Sequence, residues 1–253
     1  LPSYLGDAVN ALEFSAESRQ PDPQRLVRAY HASGVALNLI RAFTQGGYAD
    51  LHQVHTWNRD FVRDSVAGQR YEQMAGEIDR ALGFMRACGA VPEEFARVDF
   101  YAAHEALSLV YEQALTRIDS RTGNPYDVSG HFLWVGERTR GLDGAHVNFA
   151  ATIANPVGVK VGPTASPEEI QDVVERINPL RIPGRISLIT RMGAGRITET
   201  LPGLVQKIDA SGHPVVWVCD PMHGNTYEAA SGYKTRLFDD VIGEVQGFFD
   251  VHR

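Results

Sequence analysis

The sequence is poor in cysteine, in net positive charge and in long apolar runs, and each shortage excludes a class of protein. Cys88 and Cys219 are too few in 253 residues for a disulfide framework, so both are expected as reduced thiols of an intracellular protein. No stretch approaches the roughly 18 uninterrupted apolar residues of a membrane span, and no basic segment followed by an apolar one stands at the N-terminus. A membrane partner is therefore not expected, and the cytoplasm is the default compartment. The formal net charge of -7 argues against nucleic acid as the main partner, although a local basic pocket can persist inside an acidic protein. Low-complexity tracts, short-period repeats and obvious linkers are missing as well. Residue 1 is Leu rather than Met, so the sequence reads as a processed or truncated product, or as a piece of a longer chain.

What is present suffices for one large core: 43% of the residues are hydrophobic against 22% charged. Residues 1–98 read as an accessory helical region. Asp22-Pro23 sets a capping residue before a proline suited to a first turn, and Leu26, Tyr30, Leu37 and Ile40 recur near helical spacing until Gly46-Gly47. The pattern predicts an amphipathic helix with a bend at Ser33-Gly34. A second is expected from Gln69 to Ala87, where Tyr71, Met74, Ile78, Leu82 and Met85 form a stripe that reads as core rather than as a cofactor surface. Between them, His52, His55 and Trp57 lack acidic partners at ligand spacing, and a metal site there is weakly supported.

Residues 99–253 change rhythm and read as a train of parallel strand-helix units. Strands are expected at Val98–Tyr101, His131–Val135, Pro156–Val161, Ile186–Thr190 and Pro214–Cys219, the last four at intervals of roughly 25 to 30 residues. Asp119 to Gly130 reads as a polar, turn-rich connection. Ser166-Pro167-Glu168-Glu169 combines an N-cap, a first-turn proline and a capping-box glutamate, and Leu204, Val205 and Ile208 lead to a stop at Gly212. Phe238, Val241, Ile242, Val245, Phe248 and Phe249 mark a final helix. The fold class is α/β, either barrel or open sheet.

Charged residues recur just past these strands. Val135 leads into Gly136-Glu137-Arg138-Thr139-Arg140, Val159 into Lys160, Thr190 into Arg191, and Cys219 into Asp220 and His223. Parallel strands share one C-terminal face, where ligand sites form, so Arg138, Lys160 and Arg191 are expected to meet in space. Three convergent cations suit a small phosphate or carboxylate ligand. Taken singly, each is as well read as a solvated loop residue; agreement across four units favours a site. His223 stays open as a general base, a metal ligand or a hydrogen-bonded pocket histidine. Cys219, inside a strand, reads as a packing residue.

The strings "YAAHEAL" (101–107), "WVGERTRGLDGAHV" (134–147), "NPVGVKVGP" (155–163), "TRMG" and "CDPMHGNT" resemble, as an ordered set, the class II (plant-type) 3-deoxy-D-arabino-heptulosonate 7-phosphate (DAHP) synthases. So do "LPSYLGD" at the start and "EVQGFFDVHR" at the end. The resemblance implies a (β/α)8 barrel with extra helices and condensation of phosphoenolpyruvate with erythrose 4-phosphate, the entry step of the shikimate pathway. It also implies a divalent metal, manganese or cobalt, that polarises the aldehyde. Carried over, Glu137, Arg138, Lys160 and Arg191 match phosphoenolpyruvate contacts, His223 matches a metal ligand, and Glu105 matches an active-site position. Glu137 and Asp220 are candidates for activating water. Homo-oligomers, feedback by aromatic amino acids and, in some bacteria, association with a chorismate mutase are further implications.

The resemblance also exposes departures. The family's metal-binding cysteine, its first two strands, and its last strand with glutamate and aspartate ligands have no match in these residues, so of four expected metal ligands His223 remains. About five strands are expected where a closed barrel needs about eight. The chain as given is therefore expected to be incomplete for activity and to expose apolar faces and strand edges. The alternative is a catalytically inactive truncated homologue that serves as a binding or assembly module.

Overall fold

The computed structural model describes residues 1–48, 66–89 and 98–253. His52, His55 and Trp57 lie outside the described residues. The chain forms two compact units, Leu1–Phe100 and Tyr101–Arg253.

In the first unit, α1 spans Pro23–Gln45, with the Asp22 carboxylate accepting from the Gln24 N–H and Pro23 in the first turn. It runs without a break through Ser33-Gly34 and ends where the Gly46 N–H donates to the Ala42 carbonyl. Helix α2 spans Val66–Ala87. The expectation that its stripe is core is corrected: Met74, Ile78 and Met85 are 59%, 53% and 40% exposed, whereas Ala75 and Leu82, seven positions apart on one face, are buried. Helix α1 has no buried residue. Period alone marks which side chains share a face; a partner element decides whether that face is covered.

The second unit is built on a five-stranded parallel sheet in the order β1-β4-β5-β6-β7, with β1 at Ala103–Glu105, β4 at Phe132–Val135, β5 at Val157–Val161, β6 at Ile186–Thr190 and β7 at Val216–Cys219. The α/β class agrees with the sequence reading. Two local expectations fail. The first strand is Ala103–Glu105 rather than Val98–Tyr101, and the stretch read as a plain connection contributes to an antiparallel hairpin of β2 (Thr116–Ile118) and β3 (Pro125–Asp127), which follows the short helix α3 (Leu109–Leu115). Three-residue strands are too short to show a period.

Helices α4 (Ala145–Thr152), α5 (Pro167–Ile177), α6 (Ile197–Ser211) and α7 (Phe238–Val251) pack on the sheet. Register sorts the strand residues into two faces: Leu133, Val157, Ile186 and Trp217 belong to the helix-covered core, while Phe132, Trp134, Gly158, Lys160, Ile189 and Val218 point to the other side. On that second face the flanking side chains close over β5. A Cβ on Gly158 would lie 2.7 Å from Ile189 Cδ1 and 2.8 Å from Phe132 Cζ, so neighbours on both flanking strands lean over the central one. Val216 and Val218 on the edge strand are 47% and 39% exposed. The Ser166 capping box forms in full, and α6 stops at Gly212, whose φ of 69° suits glycine. A short β8–β9 hairpin (Tyr227–Glu228, Lys234–Thr235) precedes α7.

A buried polar network ties the hairpin to β1. Glu112 Oε1 lies 2.9 Å from His104 Nε2, the Ser129 hydroxyl donates to Glu112 Oε2 at 2.6 Å, and the Ser129 N–H donates to Asp127 Oδ1 at 2.8 Å. Asp127 Oδ2 is buried without a partner. Burial pushes the Asp127 carboxyl up to about 6, with Glu112 beside it acting in the same direction. Burial would raise Glu112 as well, but His104 and Ser129 outweigh it and hold that carboxyl low.

These groups have opposite consequences for stability. Asp127 binds its proton more tightly folded than unfolded, so its ionisation costs stability above the window between its ordinary 3.8 and about 6, and the cost disappears as pH falls through it. Asp127→Asn keeps the Ser129 contact and is expected to melt several degrees above the unaltered protein at about pH 8, the gap closing toward about pH 4. A constant gap across a calorimetric pH series would show that the carboxyl does not titrate in this way. Ser166→Ala removes the capping oxygen and should lower stability by about 1 kcal/mol in denaturant melts.

Candidate active site at the strand C-termini

All five strands run parallel, so their C-terminal ends make one rim. The abrupt end of Val216–Cys219 at Asp220-Pro221 shapes that rim. The Asp220 N–H closes the last sheet bond, to the Thr190 carbonyl at 2.7 Å, and its Oδ1 accepts from the Met222 and His223 N–H groups at 3.2 and 3.3 Å. This is an aspartate-capped turn, and it swings His223 back over the strand end.

Lys160 occupies the middle of the rim. Its Nζ pairs with Asp220 Oδ2, the two side chains being 16% and 10% exposed, and it lies 5.6 Å from the Trp134 ring centroid on the other side. His223 Nδ1 sits 2.7 Å from Asp220 Oδ2, which places the imidazole proton on Nδ1 and leaves Nε2 facing outward. Burial favours protonation of Asp220, but Lys160 and His223 outweigh it and keep the carboxyl below its ordinary range. Arg191 joins the string through its Nη2, which donates to the His223 carbonyl at 2.8 Å. Its Nε is buried with no partner.

The carboxylates sit beside this string. Glu137 opens the single-turn helix Glu137–Thr139, and a Cβ on Gly162, two residues past Lys160, would fall 2.9 Å from its carboxyl oxygens. Arg140 Nη2 lies 3.3 Å from Glu137 Oε1, while Glu137 Oε2 and Arg140 Nε are buried without partners. The Glu105 carboxyl lies against Gly136. Thus Lys160, Arg191, Asp220 and His223 form one connected group, with Glu137 and Glu105 flanking its neighbours.

Arg138 differs in exposure: its side chain is exposed, and it makes no ion pair among the described residues. Arg140, two positions on, is 13% exposed and pairs with Glu137, a contact that composition does not foretell. Glu244 has no place among the candidates that the sequence offers. This fully buried carboxylate accepts from the Met192 N–H at 2.7 Å and from Asn225 Nδ2 at 2.6 Å. The available signal was a carboxylate interrupting the stripe Val241, Val245, Phe248. Cys219 packs against the core, and burial, with Glu244 and Asp220 nearby, pushes its thiol up to about 12.

Among the described residues no group of three His, Cys, Asp or Glu side chains could hold a metal ion. His223 offers one ring nitrogen, and Asp220 is committed to Lys160 and to His223 itself. The described residues therefore do not make up a metal centre by themselves.

The chain is 62% identical to a phospho-2-dehydro-3-deoxyheptonate aldolase of Streptomyces coelicolor, over 100% of its own length and 56% of that protein. It is 53% identical to the phospho-2-dehydro-3-deoxyheptonate aldolase AroG of Mycolicibacterium smegmatis, over 100% of its own length and 55% of that protein. The chain thus spans about half the length of these curated relatives. A family model described as the Class-II DAHP synthetase family matches residues 1–253, and the chain belongs to that family.

Proposed function

We propose that the protein carrying this chain condenses phosphoenolpyruvate with erythrose 4-phosphate, giving DAHP and inorganic phosphate. The supporting observation is the rim group in which Lys160 and Arg191 are joined through Asp220 and His223. Family membership and the names of the two relatives point the same way.

In this reading Lys160, Arg191 and Arg138 grip the carboxylate and phosphate of phosphoenolpyruvate, the guanidinium groups by paired charge-assisted hydrogen bonds and the lysine as a point charge. The unpartnered Arg191 Nε and Arg140 Nε are donors still available to ligand oxygens. Carbon 3 of the enol forms a bond to the aldehyde carbon of erythrose 4-phosphate, whose oxygen takes up a proton and becomes a hydroxyl. Water adds to the cationic carbon 2 and loses a proton, which Glu137 or Asp220 accepts. The bond between carbon 2 and the phosphate oxygen then breaks, and phosphate departs with the proton of the new hydroxyl, leaving a ketone. Holding the two substrates in register on fixed charges supplies most of what the rim contributes.

The family is generally metal-dependent. His223 is proposed as one donor through Nε2, and a bound divalent ion would polarise the aldehyde. Among the described residues no helix is long and apolar enough to cross a membrane. A cytoplasmic location, homo-oligomers and a chorismate mutase partner belong to the same proposal for the whole protein.

Arg138→Ala provides a clean test, because the side chain is exposed and unpaired among the described residues. In the native full-length protein it should weaken phosphoenolpyruvate binding by roughly tenfold or more while the melting temperature stays put. Unchanged affinity by calorimetric titration removes Arg138 from the site. Arg191→Ala should weaken binding by a larger factor and shift melting by only a few degrees, on the order of 1 kcal/mol. Equal losses of binding and stability would assign Arg191 a structural role. Lys160→Ala should reduce both, since it strips Asp220 of its lysine counter-ion.

A further inference from the structure

Glu244 is 0% exposed on the sheet-facing side of α7, and no cation pairs with it among the described residues. A buried carboxylate without a counter-ion is costly unless hydrogen-bond donors surround it. Neutral donors do so here, and they come from both loops of the rim. Oε1 accepts from the Met192 N–H, in the loop after β6, at 2.7 Å. Oε2 accepts from Asn225 Nδ2, in the loop after β7, at 2.6 Å. Asn225 in turn uses every polar atom of its amide. Its second N–H donates to the Pro221 carbonyl at 2.7 Å, and Oδ1 accepts from the Ala194 N–H at 2.9 Å.

The clamp holds two backbones in direct contact. A Cβ on Gly224 would fall 2.5 Å from Gly193 N and 3.0 Å from the Arg191 carbonyl carbon and oxygen. Gly193 itself has φ of +84°, where a side chain would be strained. The loop carrying Arg191 and the loop carrying Asp220 and His223 are thus pressed together immediately above Glu244. Apart from Arg191 Nη2 on the His223 carbonyl, the recorded side-chain links between these loops run through Asn225.

We infer that Glu244 and Asn225 are positioning residues that set the separation between the Arg191 guanidinium and the Lys160–Asp220–His223 string. This inference rests on the phosphoenolpyruvate-binding reading of the rim. Neither residue need touch the ligand; each acts through the backbone of residues 191–194 and 220–226, fixing cations before the ligand arrives. Had burial been the sole requirement at position 244, an apolar side chain would meet it at lower cost.

The chemistry of the pair permits a reciprocal test in the native full-length protein. Glu244→Gln leaves one acceptor for two donors, so an NH2 group is set against an N–H. Asn225→Asp sets two carboxylates face to face. Each alone should raise the dissociation constant for phosphoenolpyruvate by roughly tenfold or more. Glu244→Gln combined with Asn225→Asp reverses the donor and acceptor between the two side chains and keeps the contacts to Met192 and Ala194, but turns a carboxylate oxygen toward the Pro221 carbonyl that Asn225 Nδ2 contacts at 2.7 Å. The double variant should therefore recover part of the lost affinity, binding about threefold or more tighter than either single variant. A merely structural role would not produce this pattern in ligand affinity among variants that remain folded by circular dichroism.

Affinity unchanged in both single variants, or a folded double variant as weak as the singles, overturns the inference. If a single variant does not fold, the double variant still decides: folded and binding supports the clamp, whereas unfolded or folded and weak refutes it. Failure of the unaltered protein to bind phosphoenolpyruvate sinks the functional reading, and this inference with it. Normal binding there, with no effect of either substitution, sinks the clamp alone.

Discussion

The ion pair between Lys160 and Asp220 crosses an intervening strand, and most of the rim is organised around it. Lys160 belongs to β5, Asp220 follows β7, and β6 lies between them, so the two side chains together span two strand spacings of about 4.8 Å each. Phe132 and Ile189 lean over the glycine at position 158 on the same face, where a Cβ would collide with both. Burying two charges is a poor way to gain stability, since desolvation offsets much of the attraction. The pair is better understood as a device that holds a cation at a fixed place, with Asp220 kept ionised by Lys160 and His223 together.

Strand order connects this half-length chain to its family. Members adopt a (β/α)8 barrel, and the five parallel strands here follow one another in space in chain order, apart from the inserted hairpin. Trp134, Lys160 and Ile189, on the face that the helices leave uncovered, correspond to the interior side of such a barrel. The helix-covered face is well packed, whereas Val216 and Val218 on the edge strand stay open. Fold and rim chemistry therefore both follow from the parallel order of the strands, which puts their C-terminal ends on one side.

Legibility in the sequence followed the length of each signal. The strand Ile186–Thr190 and the capping box at Ser166 were readable because both combine several independent cues within a few residues. Ala103–Glu105 and the hairpin strands offered three residues each, and in β1 a histidine that pairs with Glu112 and a glutamate replace apolar residues. The first unit misled in another way. Its helices exist where expected, but Met74 and Ile78 find no cover, because a stripe records only potential burial. At the rim, strand ends were legible because parallel topology dictates where they go, while the pairing of Arg140 with Glu137 inside a single-turn helix has no signature of its own. Glu244 breaks the apolar stripe of α7, and such local violations tend to mark positions held for a reason other than stability.

Unsatisfied polar atoms make the same point independently. Native proteins leave few buried donors or acceptors unpaired, and each exception calls for a physical account. Among the described residues, Glu137 Oε2, Arg140 Nε and Arg191 Nε are such exceptions, and all three belong to segments that follow strand C-termini. Leaving a buried polar group unpaired costs on the order of 1–3 kcal/mol, and the rim holds two such donors and one such acceptor. A phosphate and carboxylate ligand would supply acceptor oxygens for the two arginine donors, and water or a ligand hydroxyl would supply a proton for the carboxylate. Asp127 Oδ2, in the hairpin network, and His213 Nε2, ahead of β7, are further exceptions away from the rim. At the rim, electrostatic preorganisation supplies the physical account, because donors aimed where charged ligand oxygens are proposed to sit are not spent on contacts within the chain.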